Sequence, residues 1–187
     1  SGNDKMGGEY SGLTIILASG NAASAAHLTP SDKKFSNNEG TIIELGGVKN
    51  RYHCPMARTV YIGKPNDKIK ETMKITNESV ENAIKFTKPG NTANDVATAF
   101  WDVLEKYGVK KDSRAGYSIG IGYPPDWGEH TLSIRKNDMT ELKPNVTYHL
   151  MAGMWMDTWG LEISESIRVT ENGCELFCNF PRSLHLV

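Results

Sequence analysis

Between residues 67 and 108 the hydrophobic period of this chain switches from that of strands to that of helices, and then switches back. Ile69, Met73, Val80 and Ile84 recur on one helical stripe across 67–86. Lys88-Pro89-Gly90 breaks that stripe. Thr92 is placed as the N-cap of a second helix, with Asp95 three residues on. This helix is expected to bury Val96, Phe100, Val103, Leu104 and Tyr107 and to close at Gly108. Short β-rich runs flank the pair. LTIILAS (13–19), TIIELGG (41–47) and RYHCPMARTVYIG (51–63) precede it, with Gly46-Gly47 read as the turn of a hairpin. Residues 145–156 and 160–170 follow, and 174–180 reads as a last short strand. A long polar connection carrying His27 lies before residue 41, and a Gly-rich turn segment spans 116–130. The order β, ββ, α, α, then β-rich predicts an α+β domain with helices on one face of a mainly antiparallel sheet.

The chain has 187 residues, the length of one domain. Residues 1–12 read as a disordered or non-native leader and 13–187 as the domain. A 39% apolar content with a net charge of -1 excludes a disordered chain and a strongly basic nucleic-acid binder. No run approaches the length of a membrane span. The three cysteines, Cys54, Cys174 and Cys178, are too few and odd in number for a disulfide framework. A reducing, cytoplasmic setting is expected.

Local chemistry offers no metal motif. Cys174 and Cys178 lack a second pair. His53 and Cys54, adjacent in a strand, face opposite sides, which also argues against an activated Cys–His pair. A zinc site needs about four convergent ligands, and none can be assembled. There is no G-x-S-x-G elbow, and GYSIGIG does not join a strand to a helix as a phosphate cradle would. Three features suggest a site, with tryptophans in the core and solvated carboxylates as the alternative reading. Glu44 sits inside an apolar strand. Glu162 and Glu165 share another strand but face opposite ways. Trp127, Trp155 and Trp159 cluster in the last third. Carboxylates beside indole faces suit a small organic cation.

Several segments, in order, resemble the pita-bread superfamily of methionine aminopeptidases, prolidases and creatinase. They are SGNAASAAHLTPSD (19–32), TIIELGGVKNRYHCPMARTVYIG (41–63), KPGNTANDV (88–96), GYSIGIGYPP (116–125), LKPNVTYHLMAGMW (142–155) and GLEISESIRVTENGCELF (160–177). The resemblance implies a curved antiparallel sheet with helices on its outer face, N-terminally truncated here, with His27 at the family's histidine. The metallopeptidases bind two metal ions through two Asp, one His and two Glu. The matching positions here carry Glu44, Pro55, Tyr117, Met151 and Ser164, so the resemblance implies no metal and no other cofactor. The metal-free, creatinase-like branch fits better, and RYHCPMARTV, GYSIGIGYPPDWGEHTLSI and WGLEISES are similar to the ectoine hydrolases within it. That group implies hydrolysis of a small cationic or zwitterionic cyclic amidine. Glu44 would contact or attack the amidine, His27 would shuttle a proton, and whichever of Glu162 and Glu165 faces inward would orient water or the second ring nitrogen. Register in the family motif favours Glu162. Tyr52, His53, Tyr117, Trp127, His130, Trp155 and Trp159 are the candidate substrate-binding residues. The resemblance further implies a homodimer and an N-terminal creatinase-type domain preceding this chain. Two other readings stand beside it: a non-catalytic peptidase-like binding domain, and an Xaa-Pro dipeptidase or creatinase-type hydrolase of another substrate.

Overall fold

The structure, a computed structural model, describes residues 7–187. The elements run β1 (Ile16–Ser19), a 3-10 turn (Gly20–Ser24), β2 (Glu39–Lys49), β3 (Tyr52–Ile62), α1 (Asp67–Phe86), α2 (Ala93–Lys106), β4 (Gly116–Tyr123), β5 (Asp126–Ile134), β6 (Thr147–Trp155), β7 (Gly160–Val169), β8 (Cys174–Leu176) and β9 (His185–Leu186). One sheet holds them in the order β1-β2-β3-β4-β6-β7-β8, with β5 beside β4 and β9 beside β3. All pairings are antiparallel except β3 with β9. The expected α+β architecture is present.

Both helices start and stop where local chemistry dictates. The Asn66 side chain accepts from the Ile69 N–H and caps α1. The buried face of α1 includes Thr72, Thr76 and Ser79, whose hydroxyls donate to carbonyls four residues earlier. These groups therefore enter the interior already satisfied. Thr92 and Asp95 form a reciprocal capping box at the start of α2. Gly108, at φ +66°, ends it. Tyr107 departs from expectation: it is 42% exposed, and its hydroxyl donates to Glu78.

Two turns lie elsewhere than predicted. β2 continues through Gly46 and Gly47, and the hairpin turns at Asn50-Arg51, both at positive φ. That is the geometry whose twist matches paired strands. Gly46 is a close approach, not a turn, because a Cβ there would lie 3.1 Å from the Trp127 ring. The 116–130 segment is no loop either. It belongs to a β4–β5 hairpin turning at Pro124-Pro125. Glycines masked the alternation of its side chains. Residues 9–12 belong to the folded unit, with the Glu9 N–H bonded to the Val48 carbonyl and Gly12 N–H to His53. Residues 1–6, where the leader was expected to begin, lie outside the described residues.

The sheet bends back on itself, and this bend builds the site. β3 and β4 share one paired position, Tyr52 with Ile121. Farther along, β3 meets β7 through hydroxyls. Ala57 N–H donates to Ser164 Oγ at 2.6 Å, Ser166 Oγ donates to the Pro55 carbonyl at 2.6 Å, and Thr59 Oγ1 donates to the Glu162 carbonyl at 2.9 Å. On the outer face, Leu150, Ala152, Met154, Leu161, Ile163 and Ile167 pack with Val80, Val96, Phe100 and Leu104 into the main core. Period-two alternation turns the intervening residues of β6 and β7 inward.

Candidate active site

The inward face encloses a cavity of about 370 Å³. β2 supplies Glu44, β4 supplies Tyr117, β6 supplies Met151 and Trp155, and β7 supplies Glu162. His27, Arg114 and Asp126 complete the parts that bear on chemistry. Glu44 and Glu162 are 3% and 2% exposed, and Oε1 of each has no hydrogen-bond partner among the described residues. A buried carboxylate without donors favours its neutral form. Burial pushes Glu44 up to about 7. Glu162 is held well above the ordinary carboxylate range, first by burial and then by the charge of Glu44, against an opposing pull from Lys111. Lys111 sits behind it, its ammonium donating to Ser113 Oγ and the Gly153 carbonyl, each at 2.7 Å. Burial lowers its pKa to about 8, opposed by the charge of Glu162.

A hydrogen-bonded row backs the two carboxylates. Trp127 Nε1 donates to Tyr117 Oη at 2.7 Å, Tyr117 Oη lies 3.0 Å from His149 Nδ1, and His149 Nε2 lies 2.6 Å from Ser164 Oγ. Tyr117 and His149 are direct cross-strand partners. Burial drives the His149 pKa down to about 3, so the ring is neutral and accepts from one hydroxyl while donating to the other. Its Nδ1 lies 3.9 Å from Glu44 Oε1. From the sequence His149 reads as a packing or supporting residue, and its place two residues before Met151 puts it on the inward face, where it supports the site.

The structure brings together Glu44, Glu162, Tyr117, Trp155 and, in an exposed loop at φ +60°, His27. It separates the others. Glu165 faces the helix side, as strand alternation from Glu162 requires, and pairs with Arg58 at 2.6 Å; it is not a cavity residue. Tyr52 and His53 line a different groove with Cys54, near the far end of the hairpin. His53 accepts from Gly12 N–H through Nε2 and bonds the Arg51 carbonyl through Nδ1, so it ties down the chain rather than a ligand. Trp127 is 1% exposed and acts on Tyr117, not on the cavity. His130 is exposed and paired with Asp126 at 3.0 Å. Trp159 packs against the main core near Lys68. Cys54, Cys174 and Cys178 are free thiols, and no helix among the described residues is long and apolar enough to cross a membrane.

A doubled-back antiparallel sheet with helices outside and an acidic cavity inside is the frame of the pita-bread hydrolases. The family model for metallopeptidase family M24 matches residues 3–171, and the chain belongs to that family. It is 47% identical to the ectoine hydrolase of Halomonas elongata over 96% of this chain and 45% of that protein. It is 27% identical to the Xaa-Pro dipeptidase of Pyrococcus furiosus over 95% of this chain and 51% of that protein. Among solved structures, the X-Pro aminopeptidase of Thermotoga maritima superposes with a TM-score of 0.89 at 27% identity, covering 98% of this chain and 51% of that one. The chain thus spans about half the length of the relatives it matches, and those relatives are hydrolases.

A metallopeptidase family implies metal, and the residues here do not fit it. At the five positions that the resemblance assigns to metal ligands, Pro55 has no donor atom and Met151 offers a soft thioether. Tyr117 and Ser164 are bound to Trp127, His149 and the Ala57 N–H. Hard divalent cations need several oxygen or imidazole ligands converging on one point. Among the described residues no group of three or more His, Cys, Asp or Glu could hold an ion.

Proposed function

We propose that this chain carries the catalytic domain of a metal-independent hydrolase that opens a cyclic amidine of the ectoine type. The observation that carries this reading is the pair of buried carboxylates, Glu44 and Glu162, turned unpartnered into one cavity. Two acids in that setting share a proton readily. They await a cation, and a protonated amidine brings one. Its carbon is already electrophilic, so no Lewis acid is required. Similarity to the ectoine hydrolase of Halomonas elongata supports the same substrate class.

On this reading the planar amidinium enters between the acids and the Trp155 indole. Its charge draws a proton off Glu44, which leaves through His27 to solvent, and the Glu44 carboxylate attacks the amidine carbon from the face of its plane. Glu162, protonated, supplies the proton that the departing ring nitrogen needs. Water then releases the adduct, regenerating the Glu44 carboxylate and leaving an N-acetylated diaminobutyrate. Tyr117 and His149 hold the wall beside Glu44. His27, open to solvent, exchanges the proton.

Incubation with ectoine and hydroxyectoine, followed by mass analysis, tests this. The expected product gains the mass of one water, forms unchanged in the presence of chelator, and is lost in Glu44→Gln. Cleavage of an Xaa-Pro dipeptide with added manganese, and of neither amidine, would overturn the reading.

A further inference from the structure

We infer that Arg114 anchors a carboxylate of the substrate, so that the cavity selects a zwitterion over a simple cation; this rests on the amidine reading of the same site. Arg114 is the one lysine or arginine among the residues described around the cavity. Its guanidinium is unclaimed. The described residues give it a single hydrogen bond, from Nη1 to Ser133 Oγ at 3.3 Å, and no carboxylate partner. Its guanidinium also lies over the Tyr117 ring, with the guanidinium carbon 4.5 Å from the ring centroid. Elsewhere among the described residues, the guanidinium groups of Arg58 and Arg182 both reach Glu165, Arg182 also reaches Glu81, and that of Arg51 is taken up by the Tyr10 and Gly122 carbonyls. Arg114 lines a cavity with the same chemistry and has no such partner.

One side chain spans the two ends of the site. Tyr117 carries Arg114 over its ring, and its hydroxyl bonds the imidazole that faces Glu44. A ligand lying along Tyr117 therefore meets a negative pole at one end and a positive pole at the other. Ser113 adds a second donor at the positive pole. It lines the same cavity, and its Oγ accepts from Lys111, which leaves its hydroxyl hydrogen for a ligand.

The electrostatics make this discriminating. Glu44, Glu162 and Asp126 alone would draw any small cation. A guanidinium among them repels a bare cation and rewards one that carries its own carboxylate, since the planar fork of Arg matches a carboxylate with two parallel bonds. Attraction to one ligand combined with repulsion of its competitor is how specificity is built. A charge-assisted contact of this kind corresponds to on the order of 10- to 100-fold in affinity.

The test is calorimetric titration of this chain with ectoine and with the same methylated cyclic amidine lacking the carboxylate. Wild type, Arg114→Lys and Arg114→Gln are compared, each checked for an unchanged melting curve. Wild type is expected to favour ectoine by about 10- to 100-fold, Arg114→Lys to keep part of that preference, and Arg114→Gln to lose it while binding the bare amidine as well as or better than wild type. Equal binding of both amidines by wild type, or a preference intact in Arg114→Gln, overturns the role of Arg114 and leaves the amidine reading standing. Binding of neither amidine by wild type overturns the amidine reading, and this inference with it.

Discussion

Replacing the proposed nucleophile should stabilise this protein, and the effect should depend on pH in a defined way. Glu44 sits in the cavity wall without a partner for Oε1, and burial lifts its pKa from 4.5 to about 7. In the unfolded chain the same carboxyl ionises near 4.5. Below 4.5 both states hold the proton and Glu44 costs nothing. Between 4.5 and 7 the unfolded chain gives up its proton while the folded chain keeps it, so stability drains away as pH rises. Above 7 the full penalty is present, roughly 3 kcal/mol by linkage. Glutamine has the shape of protonated glutamate and cannot ionise. Urea denaturation of wild type and Glu44→Gln should therefore coincide near pH 4 and separate by roughly 3 kcal/mol at pH 8, with the variant more stable. For a domain of this size that is about 6–12 °C in melting temperature. The difference between the two proteins is the quantity to read, because His149 imposes its own slope in the opposite direction. Its imidazole stays neutral in the fold down to about 3, so wild type and variant alike lose stability as pH falls below the ordinary histidine value. Parallel stability curves from pH 4 to pH 8 would refute the picture of a buried, donor-starved carboxylate. So would a variant less stable than wild type at pH 8. A gain, together with loss of turnover, would mark Glu44 as a residue kept for function at the expense of stability.

The buried ion pair and the capping box give two further tests of the frame. Arg58→Met leaves the fully buried Glu165 carboxylate with only the 3.5 Å contact of Arg182, and removes the guanidinium bonds to the carbonyls of Ala57, Ser164, Phe180 and Pro181. It should cost about 3–5 kcal/mol in urea unfolding, most of it recovered in Arg58→Met with Glu165→Leu; a loss below about 1 kcal/mol in the single variant contradicts the pairing. Thr92→Ala removes the hydroxyl that accepts from Asp95 N–H and should cost about 1 kcal/mol, while an unchanged midpoint would show the cap to be redundant with the Gly90–Leu142 and Ala93–Thr140 backbone bonds nearby.

Helices proved the most legible part of the chain, because their signals are local. The stripe on α1, the Thr92–Asp95 box and Gly108 each act within a few residues, and each is found where expected. The turns were less so. Gly46-Gly47 reads as a turn until the Trp127 ring is known to lie against it, and a residue 81 positions away leaves no mark on a local window. The β4–β5 hairpin was hidden for a related reason: glycines make room for neighbours yet erase the alternation that announces a strand. Within the site, the same contrast divides Glu162 from Glu165. Strand parity says that they part company, but only the bonds between β7 and β3 through the Ser164 and Thr59 hydroxyls show which face closes over a cavity.

From residue order came the helices, most of the strands and the antiparallel α+β frame, and from the family resemblance came the non-ligating residues Pro55 and Met151 at metal-ligand positions and the suspicion that Glu44 and one later glutamate act together. Those follow from properties each residue carries with it: period, cap, donor atom, charge. Folding decided that Glu44, Glu162, Trp155 and Arg114 share one cavity while Tyr52, His53, His130 and Trp159 do not. It also decided that His149 stays neutral behind the acids. Proximity and desolvation belong to the bent sheet as a whole, and no residue bears them until distant strands have closed around it.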